Sequence, residues 1–234
     1  MDGESGHNVT IKSVELERLI FFSDAVFAIA ITILVLELRP PERAGPDVTQ
    51  ALVNGMVRLI PKFASYVISF WIIGIYWFVH HRIFRHIRSW DDGLIWLNFL
   101  FLFWIAFLPF PVSLMGSFGD QRFAVVFYAG TLAMTGIAQM LLWRHASRDR
   151  RLLDPGFDPA LARYIGLRSM VPPLAAVLVI LLAFVIPPYL ATLGFPLIFM
   201  FQGWLRRRYD PALRAAEAPA RGCHGARHPA SSKD

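Results

Sequence analysis

Apolar residues along this chain gather into runs, and charges collect in the stretches between them. A bilayer hydrocarbon core of about 30 Å is crossed by about 20 helical residues. Six segments reach or approach that length: Leu19–Leu38, Phe63–His81, Leu94–Leu114, Phe123–Trp143, Val171–Pro188 and Tyr189–Leu205. The pattern predicts an all-α membrane protein with six transmembrane helices per subunit. The last two runs are short and meet at Pro187 and Pro188, which cannot extend a helix and predict a tight turn. One long re-entrant segment is the alternative there. Pro109 and Pro111 should kink or end the third helix near its outer end. No later run repeats the first, so the chain carries a single six-helix unit.

The first run, RLIFFSDAVFAIAITILVLEL, holds one formal charge between Arg18 and Glu37, that of Asp24. An ionisable group inside a membrane span needs a partner or a task. The arginines indicate what lies near it. Arg82, Arg85 and Arg88 follow span two; Arg144, Arg148, Arg150, Arg151, Arg163 and Arg168 follow span four; Arg206, Arg207 and Arg208 follow span six. The opposite side carries Arg39, Arg43, Arg58 and Lys62 after span one, then Arg122. By the positive-inside rule both termini are expected in the cytoplasm.

Asp24 then sits about six residues inside the membrane from the cytoplasmic face. The same depth receives Trp77, His80 and His81 from the end of span two, and Trp96 and Asn98 from the start of span three. These donors are expected to meet Ser23 and Asp24 in a polar clamp between helices, at about 1–2 kcal/mol per hydrogen bond.

A helical wheel separates this clamp from a second face. At about 100° per residue, Ile29, Ile33 and Leu36 fall within roughly 60° of one another, with Phe22 in the same arc and Thr32 at its edge. Asp24 points about 140° away from Ile29. Span one therefore has a polar anchor on one side and an aliphatic stripe with one hydroxyl on another.

Composition narrows the class further. Of the 234 residues 56% are hydrophobic and only 17% charged, against about a quarter charged in soluble domains. The net charge of +6 is divided among the ends of apolar runs, which suits anionic lipid head groups and not nucleic acid. A single cysteine, Cys223, permits no internal disulfide. Residues 1–17 hold Asp2, Glu4, Glu15 and Glu17 against Lys12 and lack the pattern of a cleaved signal. They are expected to form a cytoplasmic N-terminal segment before a six-helix transmembrane domain over 18–205. Residues 206–234, rich in Ala, Pro and Arg, predict a disordered basic cytoplasmic tail.

The stretch HHRIFRH supplies His80, His81 and His86, and clustered imidazoles at a membrane surface suit a metal-dependent enzyme. The other histidines are scattered and no acidic ligand cluster accompanies them, so an enzyme is not the expected class. Neither a nucleotide loop nor a nucleophile elbow is present, and the carbonyl filter sequence TVGYG is missing. A proton-coupled transporter using Asp24 as carrier is the other alternative, disfavoured because the wheel turns Asp24 off the stripe.

The segment Arg18-Leu-Ile-Phe-Phe22-Ser23-Asp24 fits R-x-x-x-F-S-D, which resembles the first-helix signature of the transmembrane protein 175 potassium channels. GIYWFVHHRIFRHI and WLNFLFLFWIAFLPFP are similar to that family's second and third helices. The resemblance covers residues from about 15 to 205. It implies a homotetramer of six-helix subunits in the plasma membrane, without a cofactor, passing potassium through a pore lined by the first helix. Carried over by offset from the motif, the constriction and selectivity positions are Ile29, Thr32, Ile33 and Leu36. Arg18, Phe22, Ser23, Asp24, Trp77 and Asn98 match the polar network that holds the first helix, together with His80 or His81.

Overall fold

The structure is a computed structural model. It describes residues 2–41, 47–148, 152–154 and 156–195, with side chains from Val14 onward apart from Tyr189. Helix α1 spans Asp2–Ile33 and tightens into a 3₁₀ turn over Leu34–Glu37. Helix α2 spans Val48–Phe84, α3 Asp92–Phe107, α4 Pro109–Phe118 and α5 Arg122–Ser147. Helices α6 (Pro159–Ser169) and α7 (Val171–Leu182) run nearly end to end, and a short α8 covers Pro188–Ala191. Among the described residues five segments are long and apolar enough to cross a membrane: Val14–Glu37, Val48–Phe84, Asp92–Phe118, Arg122–Ser147 and Pro159–Leu182. The sixth run, expected over Tyr189–Leu205, is described only as far as Phe195, and its remainder and the basic tail lie outside the described residues.

Local chemistry sets most of the boundaries. Asp47, Asp91 and Asp158 each precede a helix, and their carboxylates accept from the amides of Gln50, Leu94 and Ala160 at 3.0, 2.8 and 2.8 Å. These contacts satisfy amides that a helix start leaves without a partner. Pro109 divides the third span, so that α3 ends at Phe107 and α4 starts at the proline, where a missing N–H is harmless. Pro187 and Pro188 likewise separate α7 from α8.

Three spans begin earlier than their hydropathy suggests. Helix α2 starts at Val48, not Phe63, so Arg58 and Lys62 stand within it and not in a connection. Pro61 deprives the Val57 carbonyl of its amide partner, but Val57 and Ile60 are exposed and the helix passes through. The fifth span starts at Pro159, not Val171, because the Asp158 cap and Pro159 open a helical turn ahead of the apolar run. Helix α1 likewise reaches back to Asp2, through the segment expected to precede it.

Helix α5 is the most buried span and lies against α3, α4, α6 and α7. Its small residues Ala124, Ala129, Ala138 and Ala146 are buried and let its neighbours approach closely, as membrane helix packing favours. At Gly136 a Cβ would stand 2.7 Å from Cδ of Pro173, so α7 closes onto α5 only because this residue has no side chain. Polar links tie α5 to α2. The Tyr76 hydroxyl donates to the Leu132 carbonyl at 2.9 Å, Gln139 Nε2 donates to the Tyr76 carbonyl at 3.2 Å, and the Tyr128 and Ser69 hydroxyls lie 3.0 Å apart. At one end of the bundle an apolar cluster gathers Leu16, Phe84, Ile87, Leu94, Trp143 and Leu153. There a one-residue antiparallel bridge, Ile87 to Leu153, fastens the connection after α2 to the one after α5. Arg88 and Asp154 reinforce it with an ion pair.

Candidate functional site

Helix α1 presents two distinct faces. Ser23, Phe27, Ala30 and Leu34, spaced by four, three and four residues, are 0, 1, 2 and 0% exposed. That spacing repeats one face of a helix, and here it is the face packed against α2, α3 and α4. The stripe on the other side is left largely exposed by the described part of the subunit. Ile29 is 57% exposed, Ile33 40%, Leu36 69% and Phe22 49%, and Thr32 is exposed with them. The Thr32 hydroxyl donates back to the carbonyls of Ala28 and Ile29, both at 2.9 Å. With its proton held by the backbone, it turns only acceptor lone pairs outward.

Ser23, on the covered face, and Asp24 beside it take part in two separate contacts. In the first, His80 Nε2 lies 2.8 Å from Asn98 Oδ1, Asn98 Nδ2 donates to Ser23 Oγ at 3.0 Å, and Ser23 Oγ donates to the Leu19 carbonyl at 2.8 Å. An amide oxygen only accepts, so the His80 proton sits on Nε2 and the chain of donors runs one way from α2 through α3 to α1. All three side chains are buried. The His80 ring lies parallel to Phe101 at 5.3 Å and close to Phe84 at 4.5 Å. In the second contact Trp77 Nε1 donates to Asp24 Oδ1 at 2.8 Å, while His81 stacks on Trp77 at 5.7 Å. Asp24 is only half-buried, so its carboxylate keeps an edge open to water or head groups.

The two histidines, which the sequence leaves undecided between them, thus divide. His80 enters the buried hydrogen-bonded chain, and exposed His81 supports the indole that holds Asp24. Phe22 packs edge-on against Phe99 of α3 at 5.7 Å. Arg18 is exposed and makes no hydrogen bond or ion pair among the described residues, so the structure does not bring it into either contact. Trp96 is 72% exposed and also stands apart.

His80, His81 and His86 do not converge. The first faces Asn98, the second Trp77, and the third packs on Phe157 at 4.7 Å. Among the described residues no group of three or more His, Cys, Asp or Glu side chains is placed to hold a metal ion.

The uncovered stripe and the contacts behind it fall in a stretch that matches known proteins. Residues 18–109, from Arg18 of the motif to the start of α4, match the family model described as endosomal/lysosomal potassium channel TMEM175. A protein of Streptomyces collinus named as a potassium channel is 32% identical over 210 residues, which cover 88% of this chain and 99% of that protein. Another so named, from Chamaesiphon minutus, is 37% identical over 147 residues, 62% of this chain and 72% of the relative. Among solved structures, a crystal structure of a lysosomal potassium-selective channel TMEM175 homolog from Chamaesiphon minutus superposes with a TM-score of 0.70 at 31% identity, covering 81% of this chain and 97% of that one. With a multi-pass helical fold and a full-length bacterial relative at this identity, the chain belongs to the TMEM175 family.

Proposed function

We propose that this protein is a passive potassium-permeable channel, a homotetramer of six-helix subunits whose α1 helices surround the pore. The observation that carries the reading is the coincidence of two independent sets. Ile29, Thr32, Ile33 and Leu36, the positions assigned to the ion path by offset from the motif, all belong to the α1 stripe that the described part of its own subunit leaves exposed. Around a fourfold axis, Ile29, Ile33 and Leu36 make successive aliphatic rings, and a hydrophobic neck of this kind gates by dewetting. Thr32 supplies the one layer of oxygen acceptors among them. The ion is the transported species, and no cofactor takes part.

The remaining parts follow from that arrangement. The Trp77–Asp24 and His80–Asn98–Ser23 contacts hold α1 at fixed rotation, so that the stripe faces the axis. The sixth helix forms over residues 189–205, both termini face the cytoplasm, and the membrane is the plasma membrane.

The test is potassium flux from liposomes holding the purified protein, comparing wild type with Ile29→Asn and Leu36→Asn. An asparagine in either ring wets the neck, and flux is expected to rise, with weaker discrimination against sodium. Unchanged conductance and unchanged selectivity in both variants would remove the stripe from the pore. Single cysteines at Asp120 and Ser147, in a Cys223→Ser background, report orientation by labelling from one side of the membrane. Ser147 is expected to react from the cytoplasmic side alone.

A further inference from the structure

At the end of the bundle where α5 meets α6 there is a cavity of about 400 Å³ that none of the proposed channel parts uses. Trp143, Ala162 and Gly166 contribute to its wall, Met170 lines it further along, and Arg144 and Arg163 line it together, one from each helix. The two helices meet closely beside it. Trp143 Nε1 donates to the Ala162 carbonyl at 3.2 Å, and a Cβ on Gly166 would touch that same nitrogen at 3.5 Å.

Each guanidinium follows one member of this contact in sequence, Arg144 after Trp143 and Arg163 after Ala162, so the two charges flank a fixed junction. Both arginines are exposed, and neither makes a hydrogen bond or an ion pair among the described residues. Two described acids of the neighbouring connection are engaged elsewhere: Asp154 pairs with Arg88, and Asp158 accepts from the Ala160 amide. Below the arginines the surface turns apolar. Met170 is 45% exposed and Leu174, one turn further along α7, is 64% exposed.

We infer that this cavity binds the phosphate of an anionic phospholipid of the inner leaflet, held between Arg144 and Arg163, with an acyl chain lying along Met170 and Leu174. Charge and depth together select that occupant. Two cations without partners among the described residues, next to an apolar wall, complement a ligand that is a monoanion at one end and hydrocarbon at the other. A guanidinium presents a planar fork of donors suited to phosphate oxygens. Basic pockets between transmembrane helices on the cytoplasmic side take anionic head groups for this reason. The inference rests on the orientation proposed above, which puts the α5–α6 end in the anionic leaflet.

The test measures lipid retention and needs neither ion flux nor a defined sidedness, so its failure is separable from failure of the channel reading. Purified full-length protein in detergent is mixed with equal amounts of phosphatidylglycerol and phosphatidylcholine, and bound lipid is counted by native mass spectrometry. Wild type is expected to retain phosphatidylglycerol preferentially. Arg144→Gln/Arg163→Gln should weaken that preference by about thirtyfold, from roughly 1 kcal/mol for each arginine near an anionic head group. Arg58→Gln, at the other end of α2, should leave it unchanged. Equal retention of the two lipids by wild type, or full retention by the double variant, overturns the proposal. So does displacement of the lipid by millimolar inorganic phosphate, which would make the site one for the free anion. A cavity already covered by a second copy or by the chain's own tail would show as wild type taking no lipid, and that also overturns it.

Discussion

Asn98 links α1 to α2 through α3, and its removal has a cost that follows from its two bonds. Its side chain is fully buried and is used at both ends, accepting from His80 Nε2 at 2.8 Å and donating to Ser23 Oγ at 3.0 Å. Asn98→Leu keeps the branched outline with two methyl groups bulkier than the amide, so the larger part of the cost is polar and a packing cost can only add to it. Ser23 retains its bond to the Leu19 carbonyl and loses only a donor. His80 is left with a buried N–H and no acceptor, at a cost of about 1–3 kcal/mol. Two interhelical bonds in a membrane setting add roughly 0.6 kcal/mol each. The single variant should therefore lose about 2–4 kcal/mol.

His80→Phe is a different perturbation, because a phenyl ring can keep the stacking on Phe101 and Phe84. It leaves the Asn98 oxygen unpaired, at about 1–2 kcal/mol. In the double variant neither partner remains to be orphaned, and exchanging both for apolar groups of similar shape is close to neutral. The double variant should then be more stable than the two single losses predict, by at least about 1 kcal/mol of coupling. Unfolding in mixed micelles, followed by tryptophan fluorescence, measures all four proteins on one scale. Strict additivity would mean that His80 and Asn98 do not act as a pair, and the one-way chain from α2 to α1 would be lost with it.

Three further outcomes are expected. Gly136→Ala pushes a methyl group into Pro173 of α7, where the available gap is 2.7 Å, and should lower unfolding stability by about 1–3 kcal/mol; an unchanged midpoint would show that α7 can move away freely. Arg122→Gln removes a bond of 2.9 Å from Nε to the Ala183 carbonyl and a cation held 5.0 Å over the Phe184 ring. It should cost about 1–2 kcal/mol by the same assay, and a neutral result would leave the end of α7 secured by its own backbone alone. Thr32→Val should leave stability within about 0.5 kcal/mol, since the residue is exposed and its hydroxyl bonds to carbonyls of its own helix. In bi-ionic flux measurements the same variant should lower the preference for potassium over sodium, and an unaltered ratio would take the hydroxyl out of the ion path.

What the sequence discloses about this site, and what it withholds, follows from the kind of information depth provides. Topology alone places Trp77, the two histidines and Asn98 level with Ser23 and Asp24, because each lies a similar distance from a charged helix end. Depth does not give rotation about the helix axis. His80 and His81 share a level but point about 100° apart, and only the packing of Phe84 and Phe101 around the first decides which one enters the buried chain. For the same reason Trp96, at the right level, faces away, and Arg18, inside the motif, reaches neither contact. The start of α2 is hidden differently. Arg58, Pro61 and Lys62 lower its hydropathy, yet a capped helix tolerates all three where its surface is exposed.

On the proposed reading the blander positions of the first helix carry more weight than the charged one, and the packing of that helix supplies the reason. A helix apolar all round has no hydropathic reason to prefer one face for its own subunit and another for something else. Here the preference comes from shape. Ala30 and Ser23 are small enough to let α1 settle against its neighbours, with Phe27 and Leu34 filling the space on either side. Asn98 and Trp77 then fix the rotation by bonding to Ser23 and Asp24. Once that face is fixed, the positions of Ile29, Ile33 and Leu36 are fixed too, although all three stay exposed among the described residues. Asp24 therefore acts on the stripe through geometry. On the proposed channel reading, replacing it should disturb the ion path only as far as it lets α1 turn, whereas replacing a stripe residue should change the wall directly.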